Sequence, residues 1–218
     1  MLIHENGSLK RKIYNKLKED IIFCELLPNS VILESELCEK FSVSRTPVRE
    51  ALLELEKEGY VVVEPRKSTR VSKVSLSELR HINDARMLLE VNAIRSLSTP
   101  LTDEQLLTLT AFQNRYEQFD FCVDTHSKYK SYLQFDYDFH AMITSLCNNP
   151  YLIRFCEELL QRSARQWYLM FLTIESRVSK SIEEHIDVLN ALYNGSAESA
   201  ANLLEEHIRA FESLEYFE

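Results

Sequence analysis

Glycine is scarce in this chain of 218 residues, which contains only Gly7, Gly59 and Gly195. A Walker loop and a dinucleotide fingerprint each need several glycines at fixed spacing, because their backbones must approach a phosphate closely. Neither motif can be built from three scattered glycines. The sequence therefore excludes most enzymes that use nucleotides.

The cysteines show no pattern typical of a disulfide framework or of a zinc knuckle. Their number is odd, and no two of them stand in a CxxC spacing. We expect free thiols that are mostly buried. The five cysteines are Cys24, Cys38, Cys122, Cys147 and Cys156.

Long hydrophobic runs are also missing. No apolar stretch approaches the roughly 20 residues that span a bilayer, and the opening MLIHENGSLKRK lacks the apolar segment of a secretory signal. The hydrophobic fraction of 45% is ordinary for a globular protein. We therefore expect a cytoplasmic protein that does not contact a membrane.

The net charge of -9 is divided unevenly along the chain. Residues 7–74 carry 13 Lys and Arg against 11 Asp and Glu, whereas residues 75–218 carry 12 against 22. An acidic protein can still bind a polyanion if its basic residues are gathered on one domain. DNA binding is therefore expected in the first third of the chain.

Three helices are predicted in that first third. The second begins near Glu34, and the third opens where Ser44 or Thr46 can cap it and ends at Gly59. The first helix is indicated by apolar residues at every fourth position, namely Leu9, Ile13, Leu17 and Ile21.

Beyond Gly59 the apolar period changes from helical to alternating. Residues 60–64 and 70–74 are rich in β-branched side chains and flank a basic turn, so they predict a two-stranded hairpin. Three helices followed by a basic hairpin describe a winged helix-turn-helix. The third helix of that fold enters the major groove of DNA.

The start of the third helix carries side chains suited to DNA. Arg45 and Arg49 lie four residues apart on one face, where guanidinium groups can bind guanine or phosphate. Ser44 and Thr46 can bond phosphate oxygens. On charge alone, an equally good alternative is that both arginines are solvated and pair with a neighbouring Glu50 or Glu54.

The stretch FSVSRTPVREAL at 41–52, followed by LEKEG at 55–59, closely resembles the signature of the GntR family of bacterial transcription regulators. The family usually has Pro-Gly where this chain has Pro28-Asn29, and often has glycine at the wing tip where this chain has Ser68. The second departure leaves open how the wing contacts the minor groove. The resemblance implies DNA-binding roles for Ser44, Arg45, Thr46 and Arg49, and for the wing residues Arg66 and Lys67.

From residue 76 onward, apolar stripes of helical period recur. They predict an all-α bundle of six or seven helices, the last reaching Phe217. The expected fold is therefore mainly α. We predict a short tail at 1–8, a winged helix-turn-helix domain at 9–75, and an all-helical domain at 76–218 that binds a metal and an effector.

The segment QFDYDFH lies in one of these helices. Asp136 and His140 are one turn apart and share a face, whereas Asp138 points elsewhere, toward solvent. His185 and His207 are equidistant from residue 196 in a predicted turn, so they can face each other across an antiparallel helical hairpin.

Asp136 and the three histidines can then meet inside the bundle. Such a set suits a divalent transition metal, with zinc as the first choice and nickel, manganese or iron as alternatives. Taken singly, each histidine is more often a partly buried or surface group than a ligand. His81 and His126 lack partners at ligand spacing and are left out of the site.

The predicted winged helix-turn-helix domain at 9–75 is called the reader below. An all-helical domain that follows a GntR-type reader resembles the branch of the family with a FadR C-terminal domain, abbreviated FCD. The resemblance covers residues from about 9 to 212. In that branch Asp-x3-His on one helix and two later histidines bind a metal, which corresponds here to Asp136, His140, His185 and His207.

The same resemblance matches Arg86 and Glu90 to residues that open the effector domain of this branch, where the arginine commonly helps to hold a carboxylate. Arg86 and Glu90 could equally form an ordinary ion pair four residues apart. Arg162 and Arg165 are further candidates, although a solvated face is their more ordinary role. The cluster from Trp167 to Phe171 is expected in the core or in a subunit contact.

We therefore expect a ligand-responsive transcription regulator rather than an enzyme. It would act as a homodimer on a double-stranded DNA operator, because a helix-turn-helix reader matches two half-sites by two-fold symmetry. A small organic acid is expected to bind at the metal. Two alternatives remain: a metal-dependent helical enzyme fused to a DNA-binding module, and a metal that only stabilises the bundle.

Overall fold

The computed structural model describes residues 8–64, 68–118 and 125–210. The chain divides into two compact units, residues 1–75 and 76–218. The first unit is a winged helix-turn-helix and the second is all-helical, which confirms the predicted fold class. Within the described ranges, no helix is both long enough and apolar enough to cross a membrane.

In its described part, the first unit runs from a helix to a β-hairpin. Its short first strand was not predicted, because two residues are too few to show an alternating pattern. The elements in chain order are α1 (Leu9–Ile22), β1 (Val31–Ile32), α2 (Glu34–Phe41), α3 (Arg45–Lys57), β2 (Val61–Glu64) and β3 (Ser68–Val71).

The core of the first unit lies between α1 and α3, which pack together. Three residues of the predicted α1 stripe are buried, and α3 contributes its own apolar face from Val48 to Leu55. Leu9, the first residue of α1, is 59% exposed, so the buried stripe begins one turn later than predicted. The buried stripe consists of Ile13, Leu17 and Ile21.

The wing is part of a three-stranded antiparallel sheet in the order β1-β3-β2. Val61 pairs with Val71 at one end of the hairpin, and Glu64 pairs with Ser68 at the other. The second strand therefore starts and ends earlier than the predicted 70–74. Asn29, before β1, has a φ of 67°, a left-handed conformation that asparagine tolerates.

The second unit is built from helices throughout its described part. The six helices found there agree with the smaller of the two predicted numbers, and the predicted extension of the last helix to Phe217 lies outside the described residues. The helices are α4 (Leu76–Arg95), α5 (Asp103–Gln118), α6 (Thr125–Ser145), α7 (Pro150–Thr173), α8 (Glu175–Tyr193) and α9 (Ala197–Arg209).

Polar residues at the helix ends explain where α7 and α9 begin. The side chain of Asn149 accepts hydrogen bonds from the first free N–H groups of α7, and Pro150 occupies the first helical position. Ser196 caps α9 in the same way, directly after Gly195, whose φ is 73°. This tight turn holds α8 and α9 side by side as an antiparallel pair.

Apolar residues of α4, α5, α6, α8 and α9 form the main core of the second unit. The aromatic cluster of α7 is also buried, with Trp167 5% exposed and Phe171 fully buried, so its predicted place in the core is confirmed. The cysteine prediction was partly wrong. The thiols described are free, but only Cys156 is fully buried, and Cys122 lies outside the described residues.

Candidate functional sites

Asp136, His140, His185 and His207 come together in the middle of the helical unit. The first two lie one turn apart on α6, while the turn between α8 and α9 brings the other two to the same height. All four side chains are at least nine-tenths buried. One potential ligand atom from each residue lies within 4.8 Å of the others.

The Nε2 atoms of the three imidazoles converge. Nε2 of His207 lies 3.1 Å from Nε2 of His185 and 3.2 Å from Nε2 of His140. Oδ1 of Asp136 lies 3.6 Å from Nε2 of His185. Two nitrogens that bind one zinc ion at about 2.0–2.1 Å are about 3.0–3.4 Å apart, so this donor set fits a single metal ion.

His140 is supported from behind by an ion pair on α4. Oε2 of Glu90 lies 2.6 Å from Nδ1 of His140, and Nε of Arg86 donates to Oε1 of Glu90 at 2.7 Å. Arg86 and Glu90 are both fully buried. Burial alone would raise the pKa of Glu90, but Arg86 and His140 outweigh it and lower this pKa to about 2.

His207 has the same kind of support from α8. Oε2 of Glu184 lies 2.6 Å from Nδ1 of His207, and Arg177 donates to both oxygens of Glu184 at 3.0 and 2.6 Å. Burial would raise the pKa of Glu184, but the hydrogen bonds with His207 and Arg177 lower it to about 2. An ionised glutamate therefore holds each of these two imidazoles.

The third imidazole contacts a neutral partner. Nδ1 of His185 lies 2.5 Å from the hydroxyl of Tyr116 on α5, and the ring of Phe139 stacks on His185 with 3.8 Å between centroids. Burial raises the pKa of Tyr116, so the phenol stays protonated at neutral pH. Its hydroxyl oxygen can accept a hydrogen bond from Nδ1.

The two glutamates favour one tautomer for His140 and for His207. A carboxylate at Nδ1 requires the proton there, which leaves the lone pair of Nε2 facing the centre of the cluster. Burial and the neighbouring His207 and His140 lower the pKa of His185 well below its usual value. Burial also lowers the pKa of His207, to about 4, against the opposing effect of Glu184. Neutral imidazoles with converging lone pairs are what a metal cation requires.

Several partners of the cluster were not predicted. Glu184 could have been found, because it directly precedes His185 and lies 12 residues from residue 196, on the other side of which His207 lies 11 residues away. Glu90 was matched to a family residue and considered as a partner of Arg86 but not of His140, and Tyr116 was not considered. Their contacts with the imidazoles join residues 50 and 69 positions apart, and no local pattern marks them.

Other residues named from the sequence lie outside the cluster. Asp138 turns away and accepts a hydrogen bond from Arg115 at 2.7 Å, as its helical position predicts. Arg162 pairs with Glu158 at 3.1 Å, partly exposed, whereas Arg165 is buried. His81 is exposed, and the side chain of His126 lies outside the described part of the chain.

The start of α3 presents its polar side chains to solvent. Ser44, Arg45, Thr46 and Arg49 are all exposed. Ser44 occupies the N-cap position, but its side chain makes no capping hydrogen bond, so the hydroxyl is not needed to hold the helix. A free N-cap hydroxyl and the first N–H groups of a helix are suited to a phosphate oxygen.

Arg49 has a partner that was not anticipated. Its Nε donates to both carboxylate oxygens of Glu34 on α2, at 3.1 and 2.9 Å. Glu54, one of the two expected partners, instead pairs with Lys10 and Arg11 of α1. The wing-tip residues Arg66 and Lys67 lie outside the described residues.

Family models match both units of the chain. The model of the FCD domain matches residues 81–210, more than half of the chain, and the model of the gntR family of bacterial regulatory proteins matches residues 9–71. The chain belongs to the GntR family and carries an FCD domain. This GntR-family protein is a DNA-binding transcription regulator.

Similar proteins support that assignment. The HTH-type transcriptional repressor RspR of Escherichia coli (strain K12) is 24% identical over 92% of this chain and 86% of its own length. The solved structure of E. coli McbR/YncC has a TM-score of 0.72 at 25% identity, covering 95% of this chain and 97% of that one.

A GntR regulator from Rhodococcus sp. RHA1 has a TM-score of 0.71 at 19% identity, again covering 95% of this chain and 97% of its own. This likeness supports the fold alone. The sequence prediction that the chain is a regulator and not an enzyme agrees with the family and with the named relatives.

Proposed function

We propose that this GntR-family regulator binds a divalent metal ion and a small organic acid in its FCD domain, and that the acid alters operator binding. The observation that carries the proposal is the buried cluster, in which three Nε2 atoms and one carboxylate converge with ionised glutamates behind two of the imidazoles. Polar side chains buried this close together are unfavourable unless the atoms that face one another bind a common partner, such as a metal cation.

Asp136, His140, His185 and His207 would hold the metal. Zinc is the first choice because imidazole and carboxylate ligands suit it, and nickel, manganese and iron accept the same donors. A bound metal ion supplies a Lewis-acidic point for a carboxylate oxygen. Nickel, manganese and iron can take six ligands, so an acid can bind them without displacing one of the four residues. Zinc prefers four ligands and would have to expand its coordination to five to bind the acid.

Arg86 is the proposed contact for the carboxylate of the effector. Its Nε is committed to Glu90, but Nη2 is buried and has no hydrogen-bond partner among the described residues. The ion pair and the effector role, which the sequence left as alternatives, are therefore compatible. Nε of Arg86 supports His140 through Glu90, and Nη2 is left for a ligand.

The reader is proposed to contact DNA through the exposed start of α3 and through the wing. Arg45 and Arg49 would form hydrogen bonds with guanine or with phosphate. Ser44 and Thr46 would form hydrogen bonds with phosphate oxygens. Arg66 and Lys67 would add backbone contacts from the wing. A homodimer would place two such readers on the half-sites of one operator, in the cytoplasm where the DNA lies.

Coupling between the two sites would follow from differential binding. An acid that prefers one arrangement of the helices around the cluster shifts the population toward it, by as much as its affinities for the two arrangements differ. α4 carries both Arg86 and Glu90 and follows the wing directly in sequence. It is therefore the element proposed to transmit the change.

The DNA-binding proposal is tested by electrophoretic shift with fragments of the source genome. We expect one or a few fragments to be selected at moderate salt, and Arg45→Ala and Arg49→Ala to lose about 1–3 kcal/mol of discrimination each. Arg162→Ala, which removes a partly exposed arginine of α7, is the matched control and should bind as the wild type does. Equal binding of all fragments by every variant would contradict the proposal.

A further inference from the structure

Glu34 is the first residue of α2, and its carboxylate holds the side chain of Arg49 on α3. Nε of Arg49 donates to Oε1 and Oε2 of Glu34, at 3.1 and 2.9 Å. The two residues are 15 positions apart, so the contact joins two helices and is not a pairing within one of them. Folding of the reader therefore places a carboxylate beside one arginine of the proposed DNA-binding face.

The contact leaves the end of the guanidinium available. Both hydrogen bonds leave from Nε, so the N–H groups of Nη1 and Nη2 remain for another partner. The side chain of Arg49 is 59% exposed, which gives DNA access to it. Two N–H groups side by side match O6 and N7 of guanine, the commonest base contact of arginine.

A carboxylate on Nε also restricts the conformations of Arg49 before DNA binds. Arginine has several rotatable bonds, and ordering such a side chain at an interface can reduce an affinity by up to about tenfold. In the folded reader, part of that ordering is already present. The pair contributes little to folding, because both of its side chains are partly exposed.

The charge of Glu34 disfavours phosphate as the partner of Arg49. Non-specific affinity for DNA comes from basic side chains that neutralise phosphates. A carboxylate beside the guanidinium offsets its charge and repels phosphate oxygens, whereas O6 and N7 of guanine carry no formal charge. The pair is therefore better suited to a guanine than to the DNA backbone.

We infer that Glu34 is a positioning residue that directs Arg49 to a guanine of the operator and away from phosphate. The inference rests on the proposed contact of Arg49 with DNA and deepens it, because it chooses between the two partners left open there. Glu34 acts through Arg49 and contacts no base itself.

The inference is tested by replacing each base pair of the operator in turn. The probe is a genomic fragment selected by the wild type, and electrophoretic shift with the full-length protein measures its affinity. The guanine bound by Arg49 is the one at which Arg49→Ala no longer distinguishes the replacements. At that base pair Glu34→Ala should lose at least about threefold of the wild-type discrimination, and Glu34→Gln, which keeps a weaker acceptor, should lose less.

The salt dependence of binding to a fragment without the operator gives a second readout. Without the carboxylate, Arg49 can bind phosphate, so the slope of log affinity against log salt should steepen by about one unit per chain in Glu34→Ala. The matched control is Glu36→Ala, which removes the same charge from an exposed position in the same turn of α2. It should keep the wild-type guanine preference and slope, because Arg49 keeps its partner.

A double variant separates positioning from direct contact. Adding Glu34→Ala to Arg49→Ala should change base discrimination no further, because Glu34 acts through the arginine. A further loss in the double variant would mean that Glu34 contacts a base itself. An equal fall in affinity at every base pair, with a lower melting temperature, would mean that Glu34 only holds α2 against α3. Either result overturns the inference.

The outcomes also separate this inference from the proposed function. If Arg49→Ala loses discrimination at one guanine while Glu34→Ala keeps it, the positioning role is wrong and the proposed contact of Arg49 stands. If Arg49→Ala distinguishes every replacement as the wild type does, the proposed base contact and the inference fail together.

Discussion

At the scale of single residues, the contacts behind the imidazoles define the cluster as much as the ligands do. Arg177 holds Glu184, and Glu184 holds Nδ1 of His207. The arginine keeps the carboxylate ionised, and the carboxylate fixes the tautomer that aims Nε2 at the centre. Arg86 and Glu90 act on His140 in the same way.

Substitution of Glu184 should therefore weaken metal binding without removing a ligand. We expect Glu184→Gln to lower the affinity for zinc about 10- to 100-fold, because a neutral amide oxygen accepts from Nδ1–H of His207 more weakly than a carboxylate does and cannot balance the charge of Arg177. Competition with a chromogenic chelator measures the change.

The control for that experiment is Asp138→Asn. Asp138 lies two residues from the proposed ligand Asp136, but it faces Arg115 at 2.7 Å on the partly exposed side of α6. Its zinc affinity should match the wild type. If Glu184→Gln and Asp138→Asn bind zinc equally well, Glu184 has no role in holding the cluster.

At the scale of elements, the α8–α9 hairpin explains why part of the site could be predicted. Residues equidistant from a tight turn stay level in antiparallel helices, which is why residue 196 correctly placed His185 opposite His207, with 3.1 Å between their Nε2 atoms. The helical period placed Asp136 and His140 together for a similar local reason.

The partners that the sequence did not reveal depend on packing between distant helices. Glu90 reaches His140 from α4, and Tyr116 reaches His185 from α5. Periodicity states which face of a helix is buried, but not which other helix covers it.

In the reader, the turn between α3 and β2 depends on one backbone conformation. Gly59 has a φ of 80°, and a Cβ added there would meet no atom within 4 Å. We expect Gly59→Ala to lower the free energy of unfolding by about 1 kcal/mol, through backbone strain alone. Urea denaturation measures it. Gly59→Asn, which tolerates this conformation better, should lose less; a larger loss for asparagine would contradict this explanation.

At the scale of the whole molecule, a weakly basic reader is joined to a strongly acidic FCD domain. The acidic domain disfavours contact with DNA away from the reader. A metal ion bound at its cluster, as proposed, would also add to the stability of the chain, because it would bind the folded state and not the unfolded one.

Removal of metal should therefore lower the melting temperature. With free zinc about 1,000-fold above its dissociation constant, binding contributes about 4 kcal/mol, which corresponds to a shift of roughly 8–16 °C for a chain of this length. Circular dichroism with and without chelator measures it. A melting temperature that chelation leaves unchanged would contradict a metal bound to the folded chain, and a further rise with acid separates an effector site from a purely structural one.

The metal content of the purified protein tests the central claim most directly. Elemental analysis should find about one transition-metal ion per chain in the wild type and in His81→Ala, whose side chain is exposed on α4. The content should fall sharply in His140→Ala and His185→Ala, each of which removes one converging nitrogen. Unchanged metal content in both of these variants would contradict the proposed site.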